Sequence, residues 1–155
     1  MDEGAPAQPP TRRALVFGDS MVDGVDLGPG WKTHVECRPG ATSEQLADDG
    51  DAFGLGFLLA EDRYDAVVLS AGTNDPWHQA LTDAFINRLC AQVTRPIRLV
   101  VVRPRHNAPA PSSTFATVHL ATFDDGLFKV DRVHLNGEGI ITLSAHIRAT
   151  LENVD

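Results

Sequence analysis

The chain has 155 residues, 43% of them hydrophobic and 22% charged. This is about one domain at the usual ~150 residues, and at this size about 68–70% of the unfolded surface can be buried without staples. Thirteen Lys and Arg against twenty-one Asp and Glu leave a formal charge of −8, which argues against broad binding to nucleic-acid phosphates and against a polybasic membrane anchor. Cys37 and Cys90 stand far apart, with no C-x-x-C pair, so two buried thiols are expected rather than a disulfide scaffold. No run approaches the roughly 18 apolar residues of a membrane span.

Residues 1–13, MDEGAPAQPPTRR, are rich in Ala, Pro and charge. They read as a mobile tail or inter-domain linker from a longer protein, with 14–155 as one folded domain. They hold no apolar segment that could be a signal-peptide core, so a cytoplasmic setting or an excised domain is expected. Ala14-Leu15-Val16-Phe17 reads as a strand buried on both faces and ends in Gly18-Asp19-Ser20. Thr33 to Cys37 is a weaker strand, interrupted by His34 and Glu36, and suits a sheet edge. Ser43-Glu44-Gln45-Leu46 starts a helix toward Ala60, broken by Gly50, Gly54 and Gly56. Asp65 to Ser70 is the clearest central strand. Leu81 to Val93 has helical spacing, with Leu81, Ala84, Phe85 and Leu89 as the apolar stripe. Ile97 to Val102 is another buried strand. Pro104, Pro109 and Pro111 make residues 104–114 largely loop. Thr117 to Leu120 is a fifth strand, and a helix from about Asn136 to Asn153 carries Ile140, Leu143, Ile147 and Leu151 on one stripe.

Strands alternating with helices predict an α/β domain with a parallel sheet. In such sheets functional groups gather beyond the carboxyl ends of the strands. Three polar clusters fall there: Gly18-Asp19-Ser20, Gly72-Thr73-Asn74-Asp75, and Asp131 with His134.

Ser20, at a glycine-containing turn after a buried strand, can project its hydroxyl above the sheet edge as a nucleophile elbow does; taken alone, such a serine is more often a turn or a helix N-cap. His134 lies three residues after Asp131, close enough for the carboxylate to orient the imidazole and leave its other nitrogen to take the serine proton; alone, the pair is more often capping. A backbone carbonyl near Arg132 is the alternative orienting partner. Asn74 can donate its amide to a developing oxyanion, against the plainer reading of an Asx turn. Gly40 lets a backbone N–H approach a substrate closely, or is simply a turn glycine.

Serine, glycine, asparagine and histidine thus occur in this order, each after a different strand, with the aspartate just before the histidine. Through Val16-Phe17-Gly18-Asp19-Ser20-Met21, Pro39-Gly40-Ala41-Thr42, Gly72-Thr73-Asn74-Asp75 and Asp131-Arg132-Val133-His134-Leu135-Asn136, the sequence resembles the SGNH hydrolases, or GDSL-type esterases, from about Leu15 to Leu151. The resemblance implies a flavodoxin-like three-layer α/β/α sandwich with a five-stranded parallel sheet. It implies Ser20 as nucleophile, His134 as general base and acid, and Asp131 as its partner. The Ser20 and Gly40 backbone N–H groups and the Asn74 side chain would form the oxyanion hole. Asp19 would brace the turn. Met21 replaces the leucine of the motif, a volume-conserving change. The short segment between Val102 and Thr117 departs from relatives that carry a helix there, and suggests a shallow, open site.

Gly28-Pro29-Gly30-Trp31-Lys32-Thr33 lacks the adjacent Gly-Lys pair of a phosphate loop. The six histidines include no H-E-x-x-H or close metal pair, so no metal and no cofactor are expected. Trp77, Arg103, Arg105 and Arg132 are candidates to line the substrate. The arginines would form a positive rim, against the plainer reading of a solvated loop. The function expected is a serine esterase or deacylase acting through an acyl-enzyme on a short-chain ester, acetyl included, with acetylated carbohydrates among the candidate partners. The alternative is a binding or assembly module of the same fold within a larger viral, mobile-element or multidomain protein.

Overall fold

A computed structural model describes residues 11–48, 55, 58–59, 63–75, 79–93, 97–106 and 114–153. Five strands form one sheet: β1 (Arg12–Gly18), β2 (Trp31–Cys37), β3 (Ala66–Ser70), β4 (Arg98–Arg103) and β5 (Ala116–His119). All neighbours are parallel, in the order β2-β1-β3-β4-β5. The described helices are α1 (Ser43–Ala47), α2 (Gln79–Ala91) and α3 (Gly137–Glu152). The sheet is therefore the expected flavodoxin-like α/β sheet, and the strand order reverses between β1 and β3. A crevice at the carboxyl ends of that pair is where such sheets carry ligands.

The period-2 alternation of the strands sorts the core into two halves. Ala14, Val16, Ala66, Val68, Val100, Val102 and Val118 face one side, against Leu143, Ile147 and Leu151 of α3 and the 21–27 segment. Leu15, Phe17, Val67, Leu69, Leu99 and Val101 face the other, against Leu46 and Ala47 of α1 and Ile86, Leu89 and Cys90 of α2. Central strands buried on both faces explain their unbroken apolar runs. β2, the weaker strand in the sequence, lies at an edge with mostly half-buried residues.

Several details differ from expectation. β1 begins at Arg12, inside the segment read as tail, and the Arg12 N–H donates to the Gly30 carbonyl at 3.0 Å. Residues 1–10 lie outside the described residues, as do 107–113 within the proline-rich loop. α1 stops at Ala47, and helical residues recur at Leu55, Leu58 and Leu59. On α2 the buried stripe is Thr82, Ile86, Leu89 and Cys90, while Leu81 is half exposed and Ala84 exposed. Leu89 is thus the one member of the expected stripe that is buried. Both cysteines are free, Cys90 buried and Cys37 half-buried, and burial pushes each thiol up to about 11. Among the described residues, no helix is long and apolar enough to cross a membrane, and no cluster of His, Cys, Asp and Glu could hold a metal ion.

Candidate active site

The turn after β1 begins where two strands press together. A Cβ on Gly18 would lie 2.2 Å from the Ser70 carbonyl oxygen of β3, so only glycine fits. The next residue, Asp19, is fully buried. Its Oδ1 accepts the Met21 N–H at 3.1 Å and the Ser70 hydroxyl at 2.9 Å, which caps the short 3₁₀ turn Ser20–Val22. Burial raises the Asp19 pKa; the hydrogen bonds from Met21 and Ser70 oppose the rise. Ser20 sits at the head of that turn, partly exposed above the sheet edge.

Opposite it, the segment before α3 folds back on itself. Phe128 bridges Leu135, and the Lys129 N–H donates to the His134 carbonyl at 2.7 Å. Asp131 Oδ1 accepts the N–H groups of Val133 and His134, both at 2.9 Å. Arg132 takes a left-handed backbone, φ 60°, to close the loop.

This geometry brings three distant side chains into line. Ser20 Oγ lies 2.8 Å from His134 Nε2, and His134 Nδ1 lies 2.7 Å from Asp131 Oδ2. Hydrogen bonds from Val133 and from His134 hold the Asp131 carboxyl down at about 2, so it is ionised near neutral pH and can only accept. Nδ1 therefore carries the ring proton in the neutral imidazole, and Nε2 is the acceptor facing the serine hydroxyl. Of the two partners weighed for the ring, the carboxylate makes the contact. The Arg132 carbonyl instead accepts from Arg105 at 3.4 Å.

The third corner comes from the loops after β2 and β3. Arg38 to Ala41 forms a β-turn, closed by the Ala41 N–H on the Arg38 carbonyl at 3.1 Å, with Pro39 second and Gly40 third at φ 80°. That is type II chemistry, in which the third position needs a positive φ. Asn74 is exposed after β3, and its Nδ2 donates to the Ala41 carbonyl at 3.0 Å. An amide nitrogen carries two hydrogens, so one remains to donate elsewhere. Asp75 accepts from both the backbone N–H and the hydroxyl of Ser43. The sequence reading missed the Ser43 contact; its local signal was the cap Thr42-x-x-Gln45 at the start of α1.

The arginines do not form the expected rim. Arg103 is 1% exposed, and its guanidinium pairs with Asp83 of α2 at 2.8 Å: the last residue of β4 points into the protein, not over the site. Arg105 pairs with Asp125 and lies 4.3 Å over the Phe128 ring, so it braces the loop that carries His134. Arg132 is exposed. Trp77 lies outside the described residues. His106 reaches the Gly72 carbonyl at 3.3 Å. An open groove runs between α1 and α2, lined by Thr42, Glu44, Asp75, Leu81, Thr82 and Phe85. The half-exposed Leu81 and Phe85 of α2 belong to this wall.

No protein-family model matches the chain, and no curated protein matches it in sequence. Among solved structures, a two-domain esterase active on acetylated mannans, co-crystallised with mannopentaose, matches with a TM-score of 0.60 at 14% identity. The match covers 91% of this chain and 49% of the esterase, so the chain spans about half of that protein's length. At that identity the likeness is one of fold.

Proposed function

We propose that this protein is a serine ester hydrolase of the SGNH type, acting on short-chain esters such as acetyl esters. The observation that carries the reading is the continuous chain Ser20 Oγ–His134–Asp131, at 2.8 and 2.7 Å, at the carboxyl edge of the sheet. A serine hydroxyl is a weak nucleophile until an adjacent base can take its proton. Here His134 Nε2 accepts that proton as Oγ attacks the ester carbonyl carbon. The negative charge on the former carbonyl oxygen is met by the Ser20 and Gly40 backbone N–H groups and the free hydrogen of Asn74 Nδ2. Imidazolium beside the Asp131 carboxylate then protonates the leaving alcohol, and its C–O bond breaks to give the acyl-enzyme. Water adds to the acyl carbon, His134 takes its proton, and Ser20 is released with the carboxylic acid. No cofactor enters these steps.

An acetylated carbohydrate is the favoured substrate class, supported by the shared fold with an esterase active on acetylated mannans. A non-catalytic assembly module is disfavoured, because a scaffold has no need of a half-exposed serine, imidazole and carboxylate in hydrogen-bonded line.

A panel of short p-nitrophenyl esters tests the proposal. The wild type should hydrolyse the acetate, a phosphonate should label Ser20, and Ser20→Ala should lose at least about 10³-fold in kcat while remaining folded. A folded wild type that hydrolyses none of the panel, or an unimpaired Ser20→Ala variant, would overturn it.

A further inference from the structure

Asp75 follows Asn74 directly, yet the mechanism above gives it no part. We infer that Asp75 is a positioning residue that sets the spacing of the oxyanion hole, an inference that rests on the proposed esterase reading. The two halves of the hole come from different crossovers: Gly40 after β2, Asn74 after β3. Nothing in the sheet register fixes one loop against the other. Two adjacent side chains supply that link. Asn74 Nδ2 holds the Ala41 carbonyl at 3.0 Å, and the two oxygens of Asp75 divide between the Ser43 N–H and the Ser43 hydroxyl. Ala41 and Ser43 are both buried, so the grip falls on a part of the chain that packing already restrains. Gly40, the residue just before, is exposed, and a Cβ there would meet nothing within 4 Å.

The plainer reading of Asp75 is a helix cap for α1. Thr42 already fills the N-cap position, and Asp75 adds only the N–H of Ser43, the first helical residue. Thr42 Oγ1 accepts the Gln45 N–H at 3.1 Å, and Gln45 Oε1 accepts the Thr42 N–H at 2.9 Å, a complete capping box. The far end of α1 is tied to α2 separately, by Gln92 Nε2 on the Ala47 carbonyl at 2.9 Å. Beyond meeting that one donor, the Asp75 grip fixes the loop after β3 on the loop after β2. A carboxylate suits this because it accepts two donors from one residue without turning. An amide in its place keeps one acceptor for the Ser43 N–H, but its NH2 requires the Ser43 hydroxyl to turn and accept, so the charge-assisted pair of bonds is lost.

Oxyanion donors act only if they stand where charge develops, and a misplacement of about 1 Å can cost 10²-fold in rate. Asp75→Asn should therefore lower kcat on p-nitrophenyl acetate by roughly 10- to 100-fold, with KM within about twofold of wild type. Inhibition by phenylboronic acid, whose tetrahedral adduct on Ser20 presents an oxygen to the hole, should weaken by a similar factor. Ser43→Ala, which removes one of the two donors, should show the same pattern at several-fold. On an Asn74→Ala background the Asp75→Asn effect should shrink to about threefold or less, since the hole is already broken. Near-normal kcat in both folded variants would overturn the inference. So would a raised KM with kcat retained, which marks a substrate contact, or losses that add fully in the double variant. If Asp75→Asn does not fold, Ser43→Ala carries the test by the same criteria. Wild-type activity is measured first: its absence sinks the esterase reading itself, whereas an active wild type with unaffected variants sinks only the role of Asp75.

Discussion

In the proposed mechanism, His134 must change charge and Asp131 must not. Backbone and ring hydrogen bonds hold the Asp131 carboxyl at about 2, well under its ordinary value of 3.8. Over most of the acid range the partner therefore stays ionised. Protonated His134 cannot accept the Ser20 proton, so kcat/KM should rise with pH along a limb of slope one. A second proton, that of Asp131, should enter only as the pH approaches about 2. A pH profile with slope two in the weakly acidic range would contradict this division. Asp131→Asn should flatten the advantage of the correct tautomer and lower kcat by roughly 10²–10⁴-fold with the fold retained. Asp19 presents the opposite case. Its buried carboxyl has a raised pKa, chiefly from desolvation. A raised folded-state pKa means a contribution that is whole below the unfolded value and lost as pH climbs through the folded one. Asp19→Asn keeps an oxygen for Met21 and Ser70 but has no charge to bury. Its stability relative to wild type should therefore improve from pH 4 to pH 8 in denaturant titrations. A relative loss at pH 8 would show that the bonds to the carboxylate outweigh its burial.

At the scale of elements, the sheet depends on one close approach. β1 and β3 run side by side at the reversal of strand order, and Gly18 pairs with Ser70 across them. A methyl group at Gly18 would meet backbone at 2.2 Å, which no side-chain rotation relieves. Gly18→Ala should cost about 3 kcal/mol, lowering Tm on the order of 10 °C, and should impair hydrolysis by moving Ser20. An alanine variant of wild-type Tm and activity would disprove the constraint. The same register explains why so much was legible in the sequence. β1, β3 and β4 are buried on both faces, so their residues are apolar without interruption and announce themselves. The turns of the candidate site follow these strands at their carboxyl ends, which is where Ser20 and Asn74 were sought. β2 was dimmer because an edge strand tolerates polar residues. His34 there bonds the Tyr64 hydroxyl at 2.6 Å and Glu36 at 2.9 Å, and Glu36 pairs with Arg38 at 3.1 Å. What the sequence hid was direction. α2 spends Leu81 and Phe85 on a groove and buries Thr82 and Cys90 instead. A stripe laid through Leu81, Phe85 and Leu89 is therefore rotated from the buried one, Thr82, Ile86, Leu89 and Cys90, and shares only Leu89 with it.

At the scale of the whole molecule, charge decides less than its location. The chain carries −8, and a positive rim of Arg103, Arg105 and Arg132 would have been its means of attracting anionic esters. The fold uses two of the three differently. Arg105 is held by Asp125 and the Phe128 ring. Arg103 lies 1% exposed at the end of β4 and reaches Asp83 of α2 across 2.8 Å, so strand and helix are joined by a pair whose cation has left water. Such a group acts on stability and not on substrate steering: a buried charge pays for desolvation, and removing its stem leaves a hole in the packing. Asp83 is 30% exposed and can rehydrate, which keeps the loss below that of a fully buried pair. Arg103→Ala should therefore destabilise the protein by roughly 2–3 kcal/mol in denaturant unfolding. The ratio of kcat/KM for matched anionic and neutral acetyl esters should stay the same as in wild type, at both low and high salt. The comparison separates the two uses of the residue because steering is screened by salt within about 10 Å at 0.1 M, whereas a pair out of water is not. A variant of unchanged stability that selectively loses the anionic ester, and does so only at low salt, would return Arg103 to the rim.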